Sequence, residues 1–372
     1  MIQFNDLHSQ WACIKELAIP RIEEVILSSS FINGKDVLLF ENNYADWNKV
    51  GYAIGCSNGT DALKMAFRSI GTEKNSVVFM PANTFIATIS AIDQVMPDAH
   101  IELIDCDDYY QIDVEKLTHS LETTRSSYKR AFIVPVHLYG HTVDIKAILD
   151  LAERFDCEIV EDSSQAHGAI GVDNIMVGSF GKISAFSLYP GKNLGAMGDA
   201  GVITTNDKAH FETMRAMRTH GALKKYQHEI KGSNFRLDTL QAIILDEKLK
   251  HLDQWNNKRL QVAQHYNKNI KNQAFKLPIK APYCGKHVYH IYCVRLIEGS
   301  RDIFQKYLKD RGIPTVIHYP VPIECTGAYS HLDTYSENTR RWSNQLISLP
   351  IHPFLSIDEV DYICDVLNSW QG

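Results

Sequence analysis

From about residue 50 to residue 205, short apolar runs rich in β-formers alternate with stretches whose apolar residues recur every three or four positions. The runs predict strands at Val77 to Met80, Ile101 to Ile104, Phe132 to Val136, Glu158 to Val160, Ala185 to Ser187 and Val202 to Thr204. The recurring pattern predicts helices at Asp61 to Ser69, Ile86 to Val95, Ile145 to Phe155 and Lys208 to Arg218. Strands and helices in alternation produce a mostly parallel sheet with helices on both faces, so the fold class is α/β.

The pattern then changes. Leu237 to about Ile270 has no Pro or Gly and predicts one or two extended helices joining two domains. Beyond it come a strand at Val288 to Leu296, a helix at Asp302 to Arg311 ended by Gly312, a strand at Thr315 to His318 and a last helix from Asp358 to Ser369. These form a small α+β unit. The boundaries are therefore 1–236 for a large domain, N-terminal segment included, and 237–372 for the connecting helix and small domain. Near the start, Pro20 interrupts the helical run from Trp11 to Ser28, where it should kink the helix or mark its true beginning.

Composition narrows the class. With 372 residues, 45% hydrophobic and 22% charged, the chain can bury a large core, and disorder or low complexity is unexpected. The net charge of −6 gives no general attraction to nucleic acid or anionic lipid. The eight cysteines are scattered without a C-x-x-C pair, which predicts neither a metal site nor a disulfide framework. The first ten residues, MIQFNDLHSQ, lack a basic start followed by an apolar run, and no apolar stretch reaches spanning length; a reducing cytoplasm is expected.

Three segments carry candidate chemistry. Gly55-Cys56-Ser57-Asn58-Gly59-Thr60-Asp61-Ala62-Leu63 opens a helix, whose free N–H groups and dipole attract an anion, and Gly59 would let the backbone approach a phosphate closely. Read alone, it is as well explained by helix capping through Ser57, Asn58 or Thr60. Val160-Glu161-Asp162-Ser163-Ser164-Gln165-Ala166-His167-Gly168 puts carboxylates at the end of a buried strand, where open α/β sheets bind ligands. An acid there can hold a cation or a protonated ring nitrogen; as an isolated residue Asp162 would more often cap a helix or pair with an Arg, and His167 would more often be an interior histidine. Ser184 to Gly195 leaves a β-rich run for a Gly-rich loop bearing Lys192, where partial desolvation and nearby cations would lower the amine's pKa and make it nucleophilic toward carbonyls. Any one lysine is usually a solvated surface residue. In combination, the segments provide an amine, a carboxylate and a phosphate cradle, the set that pyridoxal phosphate requires.

With these residues in place, the sequence resembles the DegT/DnrJ/EryC1/StrS family of nucleotide-sugar aminotransferases, which are pyridoxal phosphate (PLP)-dependent enzymes of fold type I. The resemblance runs from Phe31-Ile32-Asn33-Gly34 through SNGTDAL, Pro81-Ala82-Asn83-Thr84-Phe85, EDSSQAHGA and FSLYPGKNLGAMGDAG to Gly232-Ser233-Asn234-Phe235-Arg236-Leu237-Asp238. It implies a large domain with a mostly parallel mixed sheet flanked by helices, plus a small C-terminal α+β domain. It also implies that Lys192 bonds to the cofactor and later moves the proton, that Asp162 partners the pyridine nitrogen, that Gln165 approaches the ring hydroxyl and that Phe85 stacks on the ring. Gly59, Thr60 and Ser187 would hold the phosphate. Asn234 would reach the phosphate of a neighbouring subunit, which makes a homodimer with shared active sites the expected state.

The segment around Lys192, with Asp199 where 4-aminating members tend to carry glutamate, is similar to members acting on TDP-linked 3-keto-6-deoxyhexoses. The expected reaction moves the amine of L-glutamate to C3 of such a sugar and releases 2-oxoglutarate. Tyr189, His318 and Tyr319 are candidate substrate contacts; His318 taken alone could equally be a strand-end histidine packed under Pro320. Glu324-Cys325-Thr326 departs from a His-containing run frequent in the family. Alternatives are a C4 aminotransferase on a TDP- or UDP-4-keto sugar, a PLP-dependent sugar dehydratase, which Lys192 argues against because those relatives use histidine there, and a non-catalytic PLP-binding relative. Surface glycans such as O-antigen or lipopolysaccharide are the expected destination of the amino sugar.

Overall fold

A computed structural model describes residues 2–71, 73–224, 226–332 and 334–372. Helix α1 (Leu7–Ser28) and α2 (Lys35–Asn48) precede β1 (Tyr52–Cys56). Then follow α3 (Gly59–Ile70), β2 (Ser76–Pro81), α4 (Ala87–Val95), β3 (His100–Ile104), α5 (Val114–Thr124), β4 (Arg130–Ile133), α6 (Ile145–Arg154) and β5 (Glu158–Asp162). A short β6 (Ile170–Gly171), β7 (Ile183–Ser187), β8 (Gly201–Thr205) and α7 (Lys208–Arg218) complete this part.

Seven strands form one sheet in the order β1-β8-β7-β5-β4-β2-β3. All run parallel except β8, which is antiparallel to both of its neighbours. The C-terminal ends of β1, β2, β5 and β7 therefore share one edge, and the loops that follow them converge there. Side-chain alternation builds two cores from single strands. On β2, Val78 and Met80 pack with Leu63, Phe67 and Ile89 of α3 and α4, whereas Val77 and Phe79 pack with Leu117, Ile148 and Leu151 of α5 and α6.

The long polar-apolar pattern resolves into two helices, α8 (Thr239–Leu249) and α9 (Leu252–Asn269). α8 packs on α1 and α2 and is buried on nearly every side from Ala242 to Leu249. Beyond α9, β9 (Phe275–Lys276), β11 (Tyr292–Leu296) and β12 (Leu346–Leu349) make a second, antiparallel sheet, while β10 (Cys284–Lys286) pairs with β6. The second sheet shares a core with α9, α10 (Arg301–Asp310) and α12 (Ile357–Asn368) through Tyr266, Phe304, Leu308 and Ile363. A further helix, α11 (Glu337–Ser343), precedes β12.

Three sequence expectations need correction. Pro20 neither starts nor ends α1, which runs unbroken through it; the residue lies on the exposed face, where water can meet the carbonyl that loses its donor. Thr315 to His318 is no strand. Only Val316 bridges Ser348, since Pro314 and Pro320 bracket the segment and remove the donors a longer ladder needs. The predicted strand from Val288 begins at Tyr292 instead, because Val288 is diverted to bond Gly140 O and to accept from Asn193 Nδ2. Among elements not foreseen, β1 is short, and α2 and α5 carry many polar residues that masked their buried stripes.

Candidate active site

The loops leaving the shared sheet edge enclose a cavity of about 840 Å³. Its lining includes Gly59 and Thr60 from the start of α3, Thr84 and Phe85 after β2, Asp162 and Gln165 after β5, and Ser187, Tyr189 and Lys192 after β7. His318 and Tyr319 line it from the C-terminal part, and Phe4 and Asn5 from the N-terminal segment. Ten of the eleven candidate residues named from the sequence thus meet in one cavity; Asn234 is solvent-exposed and outside this lining.

The start of α3 answers the capping question. Asn58 is the cap: its Oδ1 accepts from Asp61 N at 2.8 Å, while Asp61 in turn accepts from Ser57 Oγ at 2.6 Å. The two residues between, Gly59 and Thr60, offer N–H groups ahead of the first intrahelical bond, which runs from Ala62 N to Asn58 O. A Cβ on Gly59 would lie 2.6 Å from Ser187 Cβ, and one on Gly201 would lie 2.5 Å from Asn58 O. Both glycines let β7, β8 and the helix start close on one another, which brings the Ser187 side chain beside the free N–H groups.

Asp162 ends β5. Its neighbour Glu161 points to the opposite face, as strand alternation requires. There Glu161 accepts from the backbone N–H groups of Gly178 at 2.7 Å and Gly181 at 2.7 Å and meets His137 Nε2 at 3.3 Å. Asp162 has fewer partners: Thr88 Oγ1 donates to Oδ2 at 2.7 Å and Ser164 N to Oδ1 at 3.2 Å. It is a buried carboxylate held at the cavity wall, and it caps no helix. Gln165 is fixed at both ends, accepting from Tyr139 N at 2.8 Å and donating to the Tyr319 hydroxyl at 2.9 Å.

Lys192 sits in the turn after β7, its N–H bonded to Tyr189 O at 2.8 Å. Burial lowers its amine from the ordinary 10.5 to about 8, against a smaller opposing pull from Asp162. Desolvation, one of the two causes expected from the sequence, lowers it; the neighbouring cations expected beside it do not contribute. Two residues pin the loop. Asn193 donates to Asn256 Oδ1 at 2.8 Å and Val288 O at 3.0 Å, and Lys248 Nζ donates to Gly195 O at 2.7 Å. Burial also pushes His167 down to about 3 and His318 down to about 4, so both rings are neutral. His318 is no strand-end packing residue: Nδ1 meets Ser348 Oγ at 2.8 Å, and the Tyr139 hydroxyl donates to its carbonyl. The Phe85 ring, half exposed, lies 5.4 Å from the Tyr319 ring. Glu324 accepts from Arg340 Nε at 3.1 Å and does not line the cavity.

The sequence reading missed Thr88, Asn193, Arg259 and His290. Thr88 lay within a foreseen helix, one turn past Thr84, and only its place opposite Asp162 shows its use. Arg259 and His290 have no local signature at all.

These residues fit PLP by the chemistry of their donors. An amine lowered to about 8, a buried carboxylate and a helix start closed on a serine face one cavity large enough for the cofactor and a substrate. An α/β fold with this set defines a pyridoxal phosphate-binding enzyme. The chain matches the DegT/DnrJ/EryC1/StrS aminotransferase family over residues 12–368. It is 38% identical to dTDP-3-amino-3,6-dideoxy-alpha-D-galactopyranose transaminase of Aneurinibacillus thermoaerophilus, over 100% of this chain and 99% of the relative. It is 33% identical to UDP-N-acetyl-3-dehydro-alpha-D-glucosamine 3-aminotransferase of Acidithiobacillus ferrooxidans, over 98% and 97%. The structure of DesV from S. venezuelae, solved in complex with ketimine intermediate, superposes with a TM-score of 0.91 at 33% identity, covering 99% of this chain and 98% of that one. The chain therefore belongs to the DegT/DnrJ/EryC1/StrS aminotransferase family and is a PLP-dependent nucleotide-sugar aminotransferase.

Proposed function

We propose that the enzyme transfers the amine of L-glutamate to C3 of a TDP-linked 3-keto-6-deoxyhexose, giving a TDP-3-amino-3,6-dideoxyhexose and 2-oxoglutarate. The observation that carries the chemistry is the meeting of Lys192 and Asp162 in one cavity. Regiochemistry is supported by the YPGKNLGAMGDAG segment and by two relatives whose names place the amine at C3.

When bound, PLP supplies an electron sink that stabilises negative charge at the carbon carrying the amine. In this reading the Asp162 carboxylate holds the proton on the pyridine nitrogen, and Thr88 and Ser164 fix its orientation. Gln165, clamped by Tyr139 and Tyr319, lies beside the ring hydroxyl. Phe85 covers the ring face. Gly59 and Thr60 N–H groups and the Ser187 hydroxyl receive the phosphate, and Asn234 of a second subunit completes that site. Lys192, with its amine near 8, is partly neutral at physiological pH and can take and return a proton at the reacting carbon. Tyr189, His318 and Tyr319 contact the sugar nucleotide. His318 is neutral and has Nδ1 engaged by Ser348, so Nε2 is the atom available to substrate.

A homodimer with shared active sites is supported by two features. Asn234 is exposed, and Leu27, Phe31, Ile32, Leu38 and Leu39 form an exposed apolar series on and between α1 and α2. We further assign residues 1–236 to cofactor binding and residues 237–372 to the connecting helix and small domain. Among the described residues no helix is long and apolar enough to cross a membrane. The reading puts the enzyme in the cytoplasm, supplying amino sugars for O-antigen, lipopolysaccharide or another surface glycan.

The test incubates PLP-loaded protein with L-glutamate and a panel of TDP- and UDP-linked 3-keto and 4-keto sugars, then locates the new amine by NMR. The expected product carries it at C3 of the TDP-linked 6-deoxyhexose; an amine at C4 overturns the assignment.

A further inference from the structure

Among the described residues three cations line the cavity: Lys64, Lys192 and Arg259. Lys64 is paired with Asp61 at 3.2 Å, and Lys192 is the nucleophile. Arg259, on α9, is 2% exposed, and its hydrogen bonds go to neutral acceptors, Ile351 O at 2.6 Å and Tyr289 O at 3.4 Å from Nη1. No carboxylate lies within ion-pair distance of it among the described residues. The other buried arginines among the described residues each have a carboxylate within ion-pair distance, Arg218 with Glu41 and Arg295 with Asp108 at 3.9 Å, and half-buried Arg21 pairs with Asp36, Asp246 and Glu247. A guanidinium presents five donors in a planar fork, and two backbone carbonyls leave the outer donors to whatever enters the cavity.

We propose that Arg259 is the seat for a carboxylate of the amino-acid donor. This rests on the aminotransferase reading with L-glutamate. The donor must deliver its amine where Lys192 acts, so its carboxylate has to reach a cation in the same cavity. Arg259 and Lys192 are close enough that both bear electrostatically on one side chain, His290, which stands at the cavity wall with Nδ1 on Asn193 Oδ1 at 3.1 Å. A single buried fork flanked by a neutral histidine matches a carboxylate, whereas the phosphate cradle already described lies at the start of α3. The uncompensated charge is thus half of an ion pair that the donor completes in each cycle and 2-oxoglutarate leaves with.

The experiment uses cofactor-loaded wild type, Arg259→Met and the conservative Arg259→Lys. Glutarate, a dicarboxylate without an amine, is titrated against each by thermal shift and as an inhibitor. Separately, L-glutamate conversion of the cofactor from aldehyde to amine form is followed by absorbance, and the return half-reaction is run with the keto sugar. Expected is a loss of glutarate affinity and a rise in KM for glutamate of about 100-fold in Arg259→Met and about 10-fold in Arg259→Lys. The ratio of donor to acceptor efficiency should fall with them. Equal losses in both half-reactions would mean Arg259 merely supports the fold, and a loss confined to the sugar half would assign it to the nucleotide; either overturns the proposal. If Arg259→Met does not fold, Arg259→Lys decides on the same readouts. Wild type that binds glutarate through Arg259 but never converts glutamate would overturn the glutamate reading and leave the carboxylate seat standing. Wild type that converts glutamate, with both variants unchanged, would do the reverse.

Discussion

Buried charge is handled in opposite ways at two places in this molecule. Where α1, α2 and α8 meet, Arg21 donates to Asp36 at 2.7 Å, to Asp246 at 2.7 Å and to Glu247, and nearby Glu41 takes Arg218 together with the backbone N–H of Gly55. Every ion there has an ion of opposite sign in direct contact. At the cavity, Lys192 and Arg259 have none in contact among the described residues, where Asp162 is held by a hydroxyl and an amide N–H only. Both regions are desolvated, so burial cannot explain the difference. Compensation within the chain builds structure, while charge left uncompensated is available to a ligand, at a cost in stability that the rest of the fold absorbs.

The contrast can be broken from either side. Lys192→Ala should reduce transamination by about 10⁴-fold or more, because in the proposed mechanism it removes both the attachment point and the proton carrier, and the absorbance of the covalently bound cofactor should vanish. A variant retaining full turnover would dismiss Lys192 as the reactive amine. At the structural cluster the reverse is expected. Glu41→Leu leaves Arg218 buried without its partner and should cost about 3–5 kcal/mol of unfolding free energy in urea titration, while turnover per folded molecule stays near wild type. A stability change below about 1 kcal/mol would show that the two regions are less different than their contacts suggest.

The smallest effect is in titration. In apoprotein, reductive methylation of Lys192 should rise with pH to half its maximum near 8, whereas exposed Lys146, raised above 10.5 by Asp150, should need more alkaline conditions. Because the folded-state value of Lys192 lies below its unfolded 10.5, the unfolded chain binds the extra proton between about 8 and 10.5. This group therefore adds stability as pH rises through that window and opposes folding below it. Equal labelling profiles for the two lysines would remove the electrostatic half of the comparison.

What the sequence disclosed follows from how far each interaction reaches. The helix start at Gly59, the acid at Asp162 and the loop at Lys192 each sit within a few residues of a strand end, so strand, turn and functional side chain could be read as one local string. Their meeting in space followed from parallel strands sharing an edge. Other contributors act across long separations. Thr88 reaches Asp162 over 74 positions, and Asn256 reaches Asn193 over 63, with no pattern around either to announce it. Arg259 was masked by its setting, since an arginine in a polar-apolar helix reads as a solvated face. Pro20 misled for a related reason: the local rule against proline in a helix says nothing about which side faces water.

Helix α9 connects these observations mechanically. Asn256 and Arg259 stand three residues apart, so they share a face. Asn256 ties the loop beside Lys192 and also donates to His167 O, while Arg259 ties Tyr289 and Ile351 in the C-terminal part. One turn of helix thus works as a crank between the two halves of the chain. A rotation of the C-terminal elements, whether driven by substrate or introduced by engineering a new sugar specificity, would be passed through this turn to the loop that carries Lys192.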